Sequence, residues 1–100
     1  MEGTRKDNSQ EYDLKLFISG ASRNSTKAIK NLQRILENNF AGSYKLQIID
    51  IYQDKALAQS EQIVAVPLLI RKGPKPEQRL IGDMSDEEKV INTLKIILEL

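Results

Sequence analysis

A strand, a long helix and a second strand follow one another directly near the start of this chain, and that succession restricts its folds more than any other feature. From Tyr12 to Ser19 the apolar residues alternate, with Leu14, Leu16 and Ile18 on one face and Phe17 on the other, before Gly20 ends the run. Beyond the helix-capping types Ser22, Asn24 and Ser25, the residues Ala28, Ile29, Leu32, Ile35, Leu36 and Phe40 recur on one helical stripe. This spacing predicts a helix from about Ser25 to Asn39, with Gly42 just past its end. Tyr44 to Ile51 then carries Leu46, Ile48, Ile49 and Ile51, apolar on both faces, as in a central strand covered on two sides. Together these elements make a parallel βαβ unit, whose crossover is almost always right-handed.

The second half is built from shorter pieces. Asp54 is placed to cap a short helix running through Gln62, with Leu57 and Ala58 facing inward, and Ile63, Val64 and Ala65 lead into a Val66-Pro67 step. Leu68 to Lys72 and Gln78 to Gly82 read as two short strands about Gly73-Pro74-Lys75-Pro76, hence an antiparallel hairpin. Ser85 and Glu88 have capping-box spacing, and acids suit a helix start. Val90, Ile91, Leu94, Ile97 and Leu98 supply the stripe of a final helix from about Ser85 to Leu98. The predicted order is βαβαββα, an α/β domain on a mixed four-stranded sheet, without internal repeats.

The residue inventory narrows the chemistry. A chain of 100 residues, 40% hydrophobic and 29% charged, fits one soluble domain. Residues 1–11 hold nothing apolar after Met1 and are expected to form a disordered tail ahead of a domain over 12–100. No apolar run approaches the roughly 18 residues of a spanning helix, and the start has no signal-peptide core, so a cytoplasmic location without a membrane partner is expected. A net charge of +1 gives no global pull toward nucleic acid, and aromatics for base stacking are only 5% of the chain. There is no cysteine, hence no thiolate for disulfide exchange. With no histidine to act as their base, Ser22 and Ser25 read as caps and not as nucleophiles. The chain also lacks a Cys/His metal cluster and a glycine-rich phosphate loop, so no metal or other cofactor is expected and the protein reads as a non-catalytic binding module.

Several fragments resemble one family. Leu14-Lys15-Leu16-Phe17-Ile18-Ser19-Gly20, Asn24-Ser25, Ile35-Leu36-Glu37, Ile49-Asp50, Ala65-Val66-Pro67 and Leu80-Ile81-Gly82-Asp83-Met84-Ser85-Asp86, in this order and spacing, look like KaiB over about Tyr12 to Leu98. The turn from Ile81 to Asp86, followed by Glu88-Lys89-Val90, is the most specific piece. The resemblance implies a thioredoxin-like fold and a regulatory protein that binds the KaiC clock ATPase and modulates its phosphorylation and ATPase state. It also implies two folds, a tetrameric ground state ordered βαββααβ and the thioredoxin-like form that binds KaiC.

The resemblance assigns residues to both roles. Lys27, Lys30 and Arg79 match positions typically basic in the family and suited to an acidic partner surface. Gln62 stands where relatives often carry lysine, and the chain ends at Leu100 without the acidic tail of circadian members. On residues alone, Lys27 and Lys30, with Arg71, Lys72, Lys75 and Arg79 around the hairpin, read by default as a solvated basic face. Thioredoxin-like proteins carry a cis proline where Pro67 stands; the other reading is a proline ending a loop before an edge strand. Pro74, Pro76, Thr93 and Lys95 fall in the fold-switching half. Circadian-type relatives commonly have glycine and aspartate at the last two positions, and Thr93 and Lys95 both strengthen the final helix. The free protein is therefore expected to be mainly thioredoxin-like and monomeric or dimeric, with a tetramer in the alternative fold. A thioredoxin-fold, oxidoreductase-like stress-response protein without thiol chemistry or KaiC binding is the other reading of the same features.

Overall fold

A computed structural model describes residues 11–95. The elements are β1 (Tyr12–Ile18), α1 (Arg23–Phe40), β2 (Tyr44–Asp50), α2 (Lys55–Ser60), β3 (Leu68–Gly73), β4 (Gln78–Ile81) and α3 (Glu87–Leu94). This is the predicted βαβαββα order and not βαββααβ. The expected tail, apart from Glu11, and the last expected helical positions, Ile97 and Leu98, lie outside the described residues.

The strands form one sheet in the order β2-β1-β3-β4. β1 and β2 run parallel, with Leu14 beside Leu46 and Phe17 beside Ile49, whereas β3 is antiparallel to both β1 and β4. Alternation along β1 sends Leu14 and Leu16 to one face and Phe17 to the other. On the first face they are buried with Ala28, Leu32, Ile35 and Leu36 of α1, Leu69 of β3, and Val90 and Leu94 of α3. On the second, Phe17, Ile49, Leu68 and Ile70 are covered by Leu57, Ile63 and Val66. Each fully buried Leu, Ile or Phe in these layers contributes roughly 1.5–3 kcal/mol relative to exposure.

The structure corrects the expected place of β2. It is an edge strand, and Ile48 is 39% exposed. An apolar pattern on both faces reports helices above and below the sheet, as Leu46 and Ile49 find here. It carries no information about how many strands lie alongside. The interior places belong to β1 and β3.

Helix ends follow the expected chemistry with three corrections. Ser22 caps α1 and Asp54 caps α2, their side chains accepting from Ser25 N at 3.2 Å and Leu57 N at 3.1 Å. α2 stops at Ser60, short of Gln62. For α3 the cap is Asp86, whose Oδ1 accepts from Lys89 N at 3.2 Å. Ser85 does not form the expected box with Glu88, because its backbone N–H is turned to Asp83 Oδ1 at 3.0 Å. The helix also ends at Leu94, earlier than Leu98, and Lys95 is its extended C-cap.

Candidate functional site

Strand pairing separates the cations that the sequence gathers about the hairpin. Arg71 lies opposite Leu14, so it turns with Leu14 into the layer of α1 and α3 and is only 2% exposed. The expectation of a solvated Arg71 is thereby corrected. Arg79 lies opposite Ile70 and faces the α2 side, as does Lys72 one step on from Arg71.

On that side Lys72 and Arg79 meet two carboxylates. Lys72 Nζ donates to both oxygens of Glu61 at 3.0 Å and to Glu77 Oε1 at 3.2 Å. Arg79 Nε donates to Glu77 Oε2 at 3.0 Å, while Nη2 donates to the Glu61 carbonyl at 2.8 Å and to Glu61 Oε1 at 3.4 Å. Two cations and two anions thus close a neutral ring joining the end of α2 to the hairpin. Hydrogen bonds from Arg79 and then Lys72 hold the Glu77 carboxyl below its ordinary range, and the bond to Glu61 is the chief cause that raises Lys72.

Gln62 borders this ring. Its φ of 57° is left-handed, and Gln62 N and Ile63 N donate to Gln59 O and Ala58 O, each at 3.0 Å, closing α2 in a Schellman turn. The sequence at this position, a glutamine where glycine is preferred, gives little warning of such a turn. Nearby in the chain Val64 is 92% exposed, and Ile81, two positions beyond Arg79 on the same face of β4, is 60% exposed.

Lys27 and Lys30 stand exposed on α1, across the sheet from Arg79. The four expected contact residues therefore fall into two groups, Lys27 with Lys30 and Gln62 with Arg79. The first group borders the turn after β4, where Asn31 Nδ2 donates to the Asp83 carbonyl at 3.0 Å. Hydrogen bonds from the hydroxyl and backbone N–H of Ser85 lower the Asp83 carboxyl, and the Lys27 charge adds to them. Between this turn and α3 lies a groove of about 140 Å³, lined by Leu80, Met84, Asp86, Lys89 and Val90 among others.

Arg71 is the residue that sequence reasoning missed. Its Nη1 donates to the carbonyls of Thr93, Leu94 and Lys95 at 3.2, 3.0 and 3.1 Å, and its Nη2 to the Pro76 carbonyl at 2.6 Å. The last carbonyls of a helix lack partners within it and carry partial negative charge, so a guanidinium satisfies both deficits. Pro76, Thr93 and Lys95, expected in one switch region, thus meet on one side chain, with Pro74 in the same turn. Among the described residues Arg71 Nε finds no acceptor. The available signal was the alternation placing Arg71 on the inward side of Leu69.

The peptide bonds Val66-Pro67, Gly73-Pro74 and Lys75-Pro76 are all cis. Pro67 precedes β3, an interior strand and not an edge one, and its carbonyl accepts from Gly82 N at 3.0 Å.

Residues 15–96 match the KaiB domain. The chain belongs to the KaiB family. A circadian clock oscillator protein KaiB from Picosynechococcus sp. is 43% identical to this KaiB-family chain over 88 residues, covering 88% of it and 85% of the relative. One from Prochlorococcus marinus (strain MIT 9211) is 44% identical over 88 residues, covering 88% and 77%. Among solved structures, the N-terminal domain of Synechococcus elongatus SasA matches with a TM-score of 0.70 at 26% identity, over 85% of this chain and 80% of that one. Mitochondrial thioredoxin 3 from Saccharomyces cerevisiae matches at 0.69 with 11% identity, over 90% and 83%, a likeness of fold alone. This KaiB-family chain has the thioredoxin-like fold.

In the KaiB-family chain Ala21 and Ser22 lead into α1, whose first residues are Arg23 and Asn24, through a serine cluster. Ser22 Oγ donates to Ser25 Oγ at 2.8 Å, and Ser25 Oγ, fully buried, accepts from Ser19 N at 3.0 Å. These hydroxyls serve the helix start. Among the described residues no group of three His, Cys, Asp or Glu side chains is placed to hold a metal, and no helix is long and apolar enough to cross a membrane.

Proposed function

We propose that this chain is a non-catalytic, cytoplasmic regulatory module that binds a KaiC-type ATPase and modulates its phosphorylation and ATPase state, in a clock or clock-derived signalling system. The observation that carries this reading is the KaiB-family match over residues 15–96, with relatives at 43% and 44% identity that bear the clock-oscillator name. Lys27 and Lys30 on one layer, and Arg79 with Gln62 on the other, are the contact residues in this reading. Complementary charge of this kind favours partner choice and association rate. The domain over 12–100 acts in its thioredoxin-like form, as monomer or dimer.

Affinity of a KaiC-type ATPase ring for the wild type, Lys27→Glu, Arg79→Glu and the double variant tests the proposal. The double variant is expected to bind more weakly. Because the two positions lie on opposite sides of the sheet, the single variants report which side docks. Unchanged affinity in the double variant would remove both residues from the contact. No binding by the wild type would favour the thioredoxin-fold stress-response reading, and insulin reduction above blank would overturn the non-catalytic one.

A further inference from the structure

Arg79 and Lys72 do not wait with free charge for an acidic partner. Glu61 and Glu77 already engage them, and the side chains of the ring remain partly accessible, Lys72 at 28%, Glu61 at 16%, Glu77 at 32% and Arg79 at 35%. A formally neutral ring offers an incoming carboxylate no net attraction. Ion pairs at such exposure are weak enough to be exchanged.

The geometry also shows which pair would yield. Arg79 Nη2 is anchored on the Glu61 backbone carbonyl at 2.8 Å, an acceptor that does not depend on any carboxylate. Arg79 Nε, by contrast, is held by Glu77 at 3.0 Å, from the turn between β3 and β4. If the Glu77 carboxylate swings away, the guanidinium stays positioned with Nε open. Ile81 lies two positions further on the same face of β4 and is 60% exposed, so an apolar contact is available two strand residues, about 6.8 Å, from the cation.

We infer that Glu61 and Glu77 are internal competitors that occupy the places of a partner's carboxylates, and that their charge sets how tightly an acidic segment with a neighbouring apolar side chain docks at Arg79 and Ile81. The inference rests on Arg79 being a contact residue, as proposed above. Glu77 is the exchangeable ligand, and Glu61 contributes less because its carbonyl keeps Arg79 in place.

The test uses the full chain and two binding probes, a synthetic peptide of alternating glutamate and leucine and a KaiC-type ATPase ring. Glu77→Gln is expected to bind the peptide on the order of two- to fivefold tighter than the wild type, the range that one exposed ion pair supports. Glu61→Gln should give a smaller gain. Adding Arg79→Ala to Glu77→Gln should abolish the gain, as should about 1 M salt, where the screening length falls to roughly 3 Å. Peptide affinity that is equal or weaker in both glutamine variants, undetectable peptide binding by every variant, or a gain that survives high salt would overturn the inference. A ring that binds no variant, beside a peptide that behaves as expected, would count against the proposed function alone.

Discussion

The guanidinium of Arg71 donates through Nη1 to the carbonyl of Leu94 at 3.0 Å inside the core, so strand β3 and helix α3 end on one side chain. A charge taken out of water is costly unless it finds compensating dipoles. Here those dipoles are the last carbonyls of α3 and the Pro76 carbonyl of the hairpin turn. Two segments distant in sequence, the turn and the helix end, are thereby held to one strand.

Arg71→Met should remove about 3 kcal/mol of stability, because the aliphatic volume is kept while several part-buried carbonyls lose their donor. Arg71→Lys should lose roughly half of that, since an ammonium keeps the charge but not the planar fork. Urea midpoints of the three proteins measure the difference. A methionine variant as stable as the wild type would show that the clamp contributes nothing.

The cap of α3 distinguishes neighbouring residues. Asp86→Ala should cost about 1 kcal/mol, whereas Ser85→Ala should change stability by less than about 0.5 kcal/mol. Thermal midpoints decide the matter, and the reverse order would restore the Ser85 cap.

Thr93→Gly combined with Lys95→Asp should weaken α3 by on the order of 1 kcal/mol. Thr93 loses its Oγ1 bond to Lys89 O, 2.8 Å in the wild type, and an acid replaces a base at the C-cap. Amide exchange should quicken from Val90 to Leu94, and the population should move toward the alternative fold. Unchanged exchange in the double variant would exclude a marginal α3.

The ionic ring gives a signed pH dependence. The Glu77 carboxyl is lowered from an ordinary 4.5, so its contribution is complete above that value and is lost as pH falls through the lower folded value. Lys72 is raised from 10.5, so its contribution is complete below that value and is lost as pH rises through the higher folded one. Both groups remain partly accessible to water, which keeps each slope shallow. Glu77→Gln should flatten the acid limb of a stability profile, and an identical limb in wild type and variant would contradict the pairing.

Local patterns were enough to specify the order of elements, because alternation, helical spacing and caps such as Ser22 and Asp54 act within a few residues. The same is true of the absence of thiol chemistry, which follows from a chain without cysteine. Tertiary structure alone decided that β2 is an edge, that Arg71 clamps the end of α3 to the hairpin turn, that Arg79 is paired with Glu61 and Glu77, and that Lys27 lies across the sheet from it. Each of these depends on which strands are neighbours and in what register. Register joins residues far apart in sequence, as Leu14 with Arg71 and Ile70 with Arg79, and no window of local periodicity contains both members of the first pair or assigns a face to the second.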